Sequence, residues 1–386
     1  MRRGAHHAGR RAAAGVTLLL GAIALGGCSS VMSIFEAEKP KPTPLEPFTA
    51  TIAGRQVWSL RLDGVQFPLV VAVNGGVFTV AGNDGTVASI DAESGRELWR
   101  TPVGAKLSAG VGSDGRFASV VTRDGELIVL DAGKLLWRKP LGVRVTTPPL
   151  VAGERVFVLG VDRVVQAFDA LDGRKLWELK RPGDPLTLAH AGALAAFKDT
   201  LIAGQGPRMA GLDPLRGTVR WEVTIGSPRG ANEVERLADL IGPVARVGDT
   251  VCARSFQAAV GCVDAERGVL GWTKNVGGIR AIAADEQFVF GADGSDRLTA
   301  WKTVGGDVAW TSEKFLRRGL SAPVSVGKTV IFGDVEGQVH FVSRDSGVTQ
   351  LRLPTDGSAV VVPPAVSGST VLIVTSNGGL FAFRPQ

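Results

Sequence analysis

The sequence predicts an all-β fold, an eight-bladed β-propeller of four-stranded antiparallel blades whose ring is closed by N- and C-terminal strands sharing one blade. Three observations carry this. DGTVASIDAESGRELW (84–99) returns as DGELIVLDAGKLLW (124–137), DRVVQAFDALDGRKLW (162–177), GPRMAGLDPLRGTVRW (206–221), QAAVGCVDAERGVLGW (257–272), SDRLTAWKTVGGDVAW (295–310) and EGQVHFVSRDSGVTQL (336–351). The closing positions Trp58, Trp99, Trp137, Trp177, Trp221, Trp272, Trp310 and Leu351 lie 41, 38, 40, 44, 51, 38 and 41 residues apart, and about 40 residues is the period of one four-stranded blade. NGGLFAF (377–383) begins an eighth unit without its Trp strand, while RQVWSL (55–60) holds a Trp strand with no unit before it. The two fragments complete each other, and pairing them removes the open sheet edges that invite aggregation.

Within a unit, an apolar run such as VFTVAG (77–82) precedes an Asp-Gly or similar pair that favours a tight hairpin. A second turn follows the repeated Asp residues at 91, 131, 169, 213 and 264. Their carboxylates are placed to bond their own backbone, and the later glycine accepts positive φ. Their recurrence at one place in each unit marks them as turn residues rather than catalytic acids. A lone blade cannot bury both faces, so a flat Trp at a fixed position is suited to filling the seam between neighbours.

The chain divides into a signal segment (1–27), an anchor and tether (28–50) and the propeller (51–386). MRRGAHHAGRR is a basic n-region, AAAGVTLLLGAIAL an apolar stretch too short for a comfortable span, and LGGC ends at Cys28. EAEKPKPTPLEPFTA (36–50) carries Pro40, Pro42, Pro44 and Pro47. That spacing favours extended polyproline II and predicts a semi-rigid tether outside the core.

Charge placement argues against a nucleic-acid partner. Of 43 Lys and Arg against 37 Asp and Glu, Arg2, Arg3, Arg10 and Arg11 precede Cys28, leaving 39 against 37 after processing. A net charge of +2 is no basic stripe. Beyond Cys28 only His190 and His340 remain, too far apart for a local metal motif. A nucleophile elbow, a P-loop and a dinucleotide-binding glycine motif are all missing. The sequence therefore names no catalytic residue, metal or cofactor.

Cys252 and Cys262 flank a predicted hairpin centred near Gln257. Facing across adjacent strands they can bridge, which export permits; one register slip would put the sulfurs on opposite faces. Both registers stay open.

Two stretches break the period. The 51-residue interval holds SPRGANEVERLADLIGP (227–243), in which ANEVERLADL reads as one or two helical turns with Val234, Leu237 and Leu240 nearly on one face, or as a loop lid. RPGDPLTLAHAGA (181–193) places Leu186 and Leu188 on one side. Extra loops on a propeller rim are where partners bind.

LGGC resembles the bacterial lipoprotein box, which implies cleavage before Cys28, its lipidation, and, with Ser29 following, sorting to the outer membrane. Lipobox, Pro-rich tether, repeats and the long interval with NEVERLADLIGPV together resemble the BamB family, the propeller lipoproteins of the β-barrel assembly machinery, across essentially the whole mature chain. The resemblance implies a non-enzymatic scaffold on the periplasmic face of the outer membrane, free of cofactor. Its partners would be the POTRA domains of BamA and the other lipoproteins of the machinery, with unfolded outer-membrane protein clients as further candidates. The family's Leu-x-Leu-Arg loop matches at Leu186 and Leu188, with Ala189 in the Arg place. Its Asp-x-Asp loop matches at Asp239, with Ile241 in the second acidic place. Arg236 is the candidate to supply the missing charge. The repeat also resembles quinone-dependent dehydrogenases of the pyrroloquinoline type, which would need a calcium ion, an Asp base and often adjacent cysteines. A third reading is a propeller that offers strand edges to unfolded clients.

Overall fold

The computed structural model describes residues 41–181, 188, 190–227, 230–232 and 235–385. The compact unit that holds the repeats begins at Pro42. Its strands form eight four-stranded antiparallel sheets arranged as a ring, an eight-bladed β-propeller. Seven blades are simple meanders: blade 1 (72–102), blade 2 (107–140), blade 3 (150–179), blade 4 (194–224), blade 5 (240–274), blade 6 (283–312) and blade 7 (324–354). Blade 8 takes three strands from 365–385 and its fourth from Gly54–Arg61, which pairs with the last strand so that Trp58 faces Ala382. The first strand of each blade touches the first strand of the next, and blade 8 touches blade 1, so the circle is complete.

Apolar burial follows the seams. One cluster joins blades 8, 1 and 2, and separate clusters join 2 to 3, 3 to 4, 4 to 5, 5 to 6, 6 to 7 and 7 to 8. The repeated Trp sits on the outer strand and crosses into the next blade. The Trp58, Trp137, Trp177, Trp272 and Trp310 indoles donate to the carbonyls of Ala92, Ala170, Pro214, Thr303 and Arg344 at 2.8–3.1 Å. Each lies over the glycine that ends the neighbouring turn. Leu351 takes the Trp position at the seam of blades 7 and 8, where Gly54 replaces the turn glycine.

The repeated Asp residues are turn residues, as their placement predicts. Asp91 accepts from the Ser94 amide and hydroxyl, Asp213 from the amides of Leu215 and Arg216, and Asp264 from that of Arg267. Asp131 differs, because its turn is shorter and its carboxylate pairs with Arg116 at 2.8 Å.

Two expectations change. The described residues of 231–240 form a single turn and then a loop rather than a longer helix: Asn232 accepts from the Glu235 amide through its side chain and from the Arg236 amide through its carbonyl, and Leu240 already begins a strand. The cap closes one turn, and blade 5 then claims the apolar residues; Val234 is outside the described residues. The described Pro-rich residues, 41–50, have no buried member, but they are docked rather than free. From Thr43 to Ile52 the chain lies along blade 7, because extended backbone leaves carbonyls free for Arg318 and Arg352 to bond.

Cys252 and Cys262 are directly opposed on adjacent strands and joined by a disulfide, with Cα atoms 4.0 Å apart. Both are buried in the seam of blades 5 and 6 beside Trp272 and Trp301.

Candidate functional site: a cleft where two rim loops meet

The candidate site is built by connections that enter blades 4 and 5 and by one tight turn of blade 3. The turn at 160–163 is closed by the Gly160 amide on the Val164 carbonyl and by Asp162, whose carboxylate accepts from the Val164 amide at 3.1 Å. Sister turns place Gly85 and Gly125 where this one has Arg163, which adopts φ 61°. A non-glycine residue there carries backbone strain, and such strain marks places where the side chain has a task. The Arg163 guanidinium reaches Asp239, with Nη2 at 2.9 Å and Nε at 3.2 Å from Oδ1. Both side chains are largely buried, 19% and 16% exposed.

Backbone contacts fix the two loops. The Phe256 amide donates to the Asp239 carbonyl, the Leu240 amide to the Gly206 carbonyl, and the Gly242 amide to the Ala191 carbonyl. Gly192 and Ile241 form an isolated bridge. At Gly242 a Cβ would lie 2.1 Å from the Gly192 carbonyl oxygen, so only glycine permits this approach. Thr147 receives the Gly192 amide, and Thr146 donates to the His190 carbonyl. A cleft of about 40 Å³ remains, bordered by Leu159, Arg163, Leu188, Asp239, Leu240 and Ile241.

The structure thus brings Leu188 and Asp239 together. Leu186 and Cys28 lie outside the described residues, as does Ala189. Arg236 is exposed on the Asn232 turn and does not border the cleft. Ile241 is 5% exposed, so the second acidic place is filled by a buried apolar side chain. The carboxylate that remains is already engaged by Arg163, although its Oδ2 is buried without a hydrogen-bond partner among the described residues. The cleft is apolar with an internally neutralised charge pair.

Sequence reasoning missed Arg163, which sits 76 residues from its partner. The available signal was an Arg in a turn where the units of blades 1, 2 and 7 have Gly85, Gly125 and Gly337. His190, at the cleft edge, meets Phe256 edge-on at 5.7 Å. Lost hydration, then the nearby Arg280, hold its imidazole below the ordinary value.

A second, larger cavity of about 340 Å³ is bounded by connections into blades 1, 4, 5, 6, 7 and 8. Phe67, Pro68, Val361 and Pro363 give it apolar walls, its polar side chains among the described residues are Gln66, His190 and Arg280, and no carboxylate among them borders it.

The sequence profile described as "Outer membrane protein assembly factor BamB" matches residues 50–106 and 83–312. A protein of that name from Burkholderia pseudomallei is 34% identical over 381 residues, covering 98% of this chain and 99% of its own. The Bordetella pertussis protein is 34% identical over 378 residues, covering 97% of each. The crystal structure of BamB from Moraxella catarrhalis superposes with a TM-score of 0.78 at 23% identity, over 86% of this chain and 100% of that one. Quinohemoprotein alcohol dehydrogenase from Comamonas testosteroni gives 0.66 at 16% identity, over 86% and 76%, a likeness of fold alone. Repeat, ring closure and full-length similarity agree, and the chain belongs to the BamB family of outer membrane protein assembly factors.

Proposed function

We propose that this protein is a non-enzymatic scaffold, anchored through a lipidated Cys28 to the periplasmic face of the outer membrane, which binds the POTRA domains of BamA beside the other lipoproteins of the assembly machinery and helps unfolded outer-membrane proteins reach it. The observation that carries this reading is the meeting of the Leu188 and Asp239 loops in one cleft. Burial of leucines drives the contact, at a few kcal/mol for a pair by the usual ~25 cal/mol per Å². With Asp239 engaged by Arg163 and Arg236 out at the rim, charge contributes to the encounter rate more than to affinity.

The test is co-purification of BamA from detergent-solubilised outer membranes with Leu186 and Leu188 both changed to Glu. Loss of BamA supports the cleft. Wild-type recovery would move the contact elsewhere, and no recovery with the unmutated chain would reject the partner itself.

The fold shared with quinone-dependent dehydrogenases motivates a second reading, which the residues fit poorly. Among the described residues the larger cavity has no carboxylate to hold calcium or act as base. Among the described residues no three His, Cys, Asp or Glu side chains converge. The cysteines at 252 and 262 are bridged across strands rather than adjacent in sequence.

A further inference from the structure

The contacts of residues 42–52 give this segment a mechanical role. We propose that it is a strain-relief strap, which passes tension from the membrane anchor onto blade 7 and keeps it off the strand that closes the ring. The anchor itself rests on the reading just given; the strap's contacts do not.

The closing strand Gly54–Arg61 is an edge strand, hydrogen-bonded on one side only, to the last strand of blade 8. Its pairing begins at Gly54 with Pro385, so a pull on its N-terminal end would load those bonds one pair at a time. It also borders the seam of blades 7 and 8, which lacks the repeat's indole. Leu351 stands where seven other seams have Trp, and Gly54 stands in for the turn glycine because the chain has no turn there.

The strap meets this place from outside. The Thr43 amide donates to the Leu316 carbonyl at 3.0 Å, and Arg318 returns a bond from Nη1 to the Thr43 carbonyl at 2.9 Å. Arg318 is 2% exposed and is held by Asp334 at 2.7 Å and by Glu336. Asp334 in turn binds His340 at 2.9 Å. Thr43 is therefore fastened to a buried network of blade 7 rather than to a surface side chain. Farther along, Glu46 pairs with Lys314 at 2.9 Å, Arg352 stacks over Phe48 at 5.0 Å, and the Thr51 amide donates to the Gln350 carbonyl at 3.0 Å. Ile52 then enters the apolar cluster of blades 7 and 8. Tension arriving from residue 41 meets all of these before it reaches Gly54. A pull must break them in turn, from Thr43 to Ile52, before any pair of the closing strand is loaded.

The test is single-molecule force spectroscopy on the chain from Cys28, produced without its signal segment and so unlipidated, held by the Cys28 thiol and by a C-terminal handle. The unmutated protein is compared with a Phe48→Ala, Arg352→Ala double variant and with Arg318→Met. Hydrogen exchange of the same proteins reports whether the Thr43 and Thr51 amides are freed. The expected result is exchange of 54–61 faster by about tenfold in the variants, with blades 2 and 3 unchanged, and opening at lower force. A freed strap with unaltered exchange of 54–61 and unaltered opening force would overturn the proposal. If Arg318→Met fails to fold, the double variant carries the test, since it leaves the buried Asp334 paired. Flotation of the protein with lipid vesicles tests the anchor separately, so a failure there leaves the strap result readable.

Discussion

Gly95 lies against the indole of Trp58, so close that a Cβ on it would sit 2.6 Å from the ring Cγ. Its φ of 75° also favours glycine. One residue thus meets two demands, and the same pairing recurs at Gly133 with Trp99, Gly173 with Trp137, Gly217 with Trp177 and Gly347 with Trp310. Gly95→Ala should destabilise the ring by about 2–3 kcal/mol, combining backbone strain with displacement of the Trp. Urea unfolding followed by Trp fluorescence measures it. By contrast Gly75, also at positive φ but with open space around it, should lose only about 1 kcal/mol as Ala.

At the cleft, Arg163 carries an unfavourable φ and an ion pair, and two substitutions separate them. Arg163→Ala keeps the strained backbone position and loses the pair. Arg163→Gly loses the pair but relieves the strain. The glycine variant should therefore be the more stable of the two, by about 1 kcal/mol. Equal stability of the two would mean that the turn imposes no strain, and the order is read from urea midpoints.

BamA recovery on immobilised protein should fall little between low and physiological salt, because the charges at the cleft are satisfied internally. A steep loss of BamA over that range would indicate that exposed charges such as Arg236 dominate the contact. Leu188→Ala should weaken binding at either salt by roughly 1–3 kcal/mol, since it removes apolar surface rather than charge.

The repeat made the ring legible because one arrangement of Trp, Asp and Gly was imposed on every blade, and the orphan Trp58 strand pointed to the carboxyl end. Long-range pairs left no such trace. Arg163 and Asp239 are 76 residues apart, and nothing local to either marks the other. The docking of the Pro-rich segment was hidden for a related reason. A polyproline stretch shows no apolar period, and its carbonyls look free until Arg318 and Arg352 are placed beside them. At 231–240 the apolar spacing suited a helix, yet the Asn232 cap closes one turn and blade 5 takes the residues that follow. Trp301 lies outside the repeat's Trp position and is fully buried in the seam of blades 5 and 6. Core membership of that kind depends on the neighbouring blade.

Acid should loosen the blade that holds the strap. His340 is buried between Phe315 and Phe332, with Nε2 on Asp334. Burial, the largest influence, lowers its value; the Asp334 carboxylate opposes this, and Arg352 and Arg318 add to the lowering. An unfolded chain takes up this proton near pH 6.5 while the folded one resists, so the stabilisation is complete above about pH 6.5 and declines as the pH falls. Asp334 is also lowered: burial, its largest single influence, raises it, and the bonds from His340, the Gln338 amide and Arg318 together outweigh that. Its contribution is present above about pH 3.8 and is lost only in stronger acid. Between pH 7 and 5 the slope therefore belongs to the histidines. His340→Gln should flatten the pH dependence of the urea midpoint there, leaving the share of His190, which is lowered too. An unchanged slope would show that His340 does not exchange its proton on folding.

The disulfide closes a loop of only ten residues in sequence separation, so loop-closure entropy assigns it a contribution of about 2–3 kcal/mol. Position matters as much as magnitude. Cys252 and Cys262 are each 1% exposed and lie among Val260, Trp272, Val289 and Trp301. A thiolate reductant must reach the sulfurs in line with the bond, which the native seam prevents. Dithiothreitol with alkylation and mass measurement should leave both cysteines unmodified in native buffer and label both once urea opens blade 5. Rapid labelling in native buffer would contradict the buried seam. The double change to Ala should lower the urea midpoint while keeping the ring assembled, because neighbouring strands still pair on both sides of blade 5's inner strands. Retention of BamA by that variant separates a structural bridge from a functional one: the cysteines do not border the cleft, and binding should survive their loss wherever the protein remains folded.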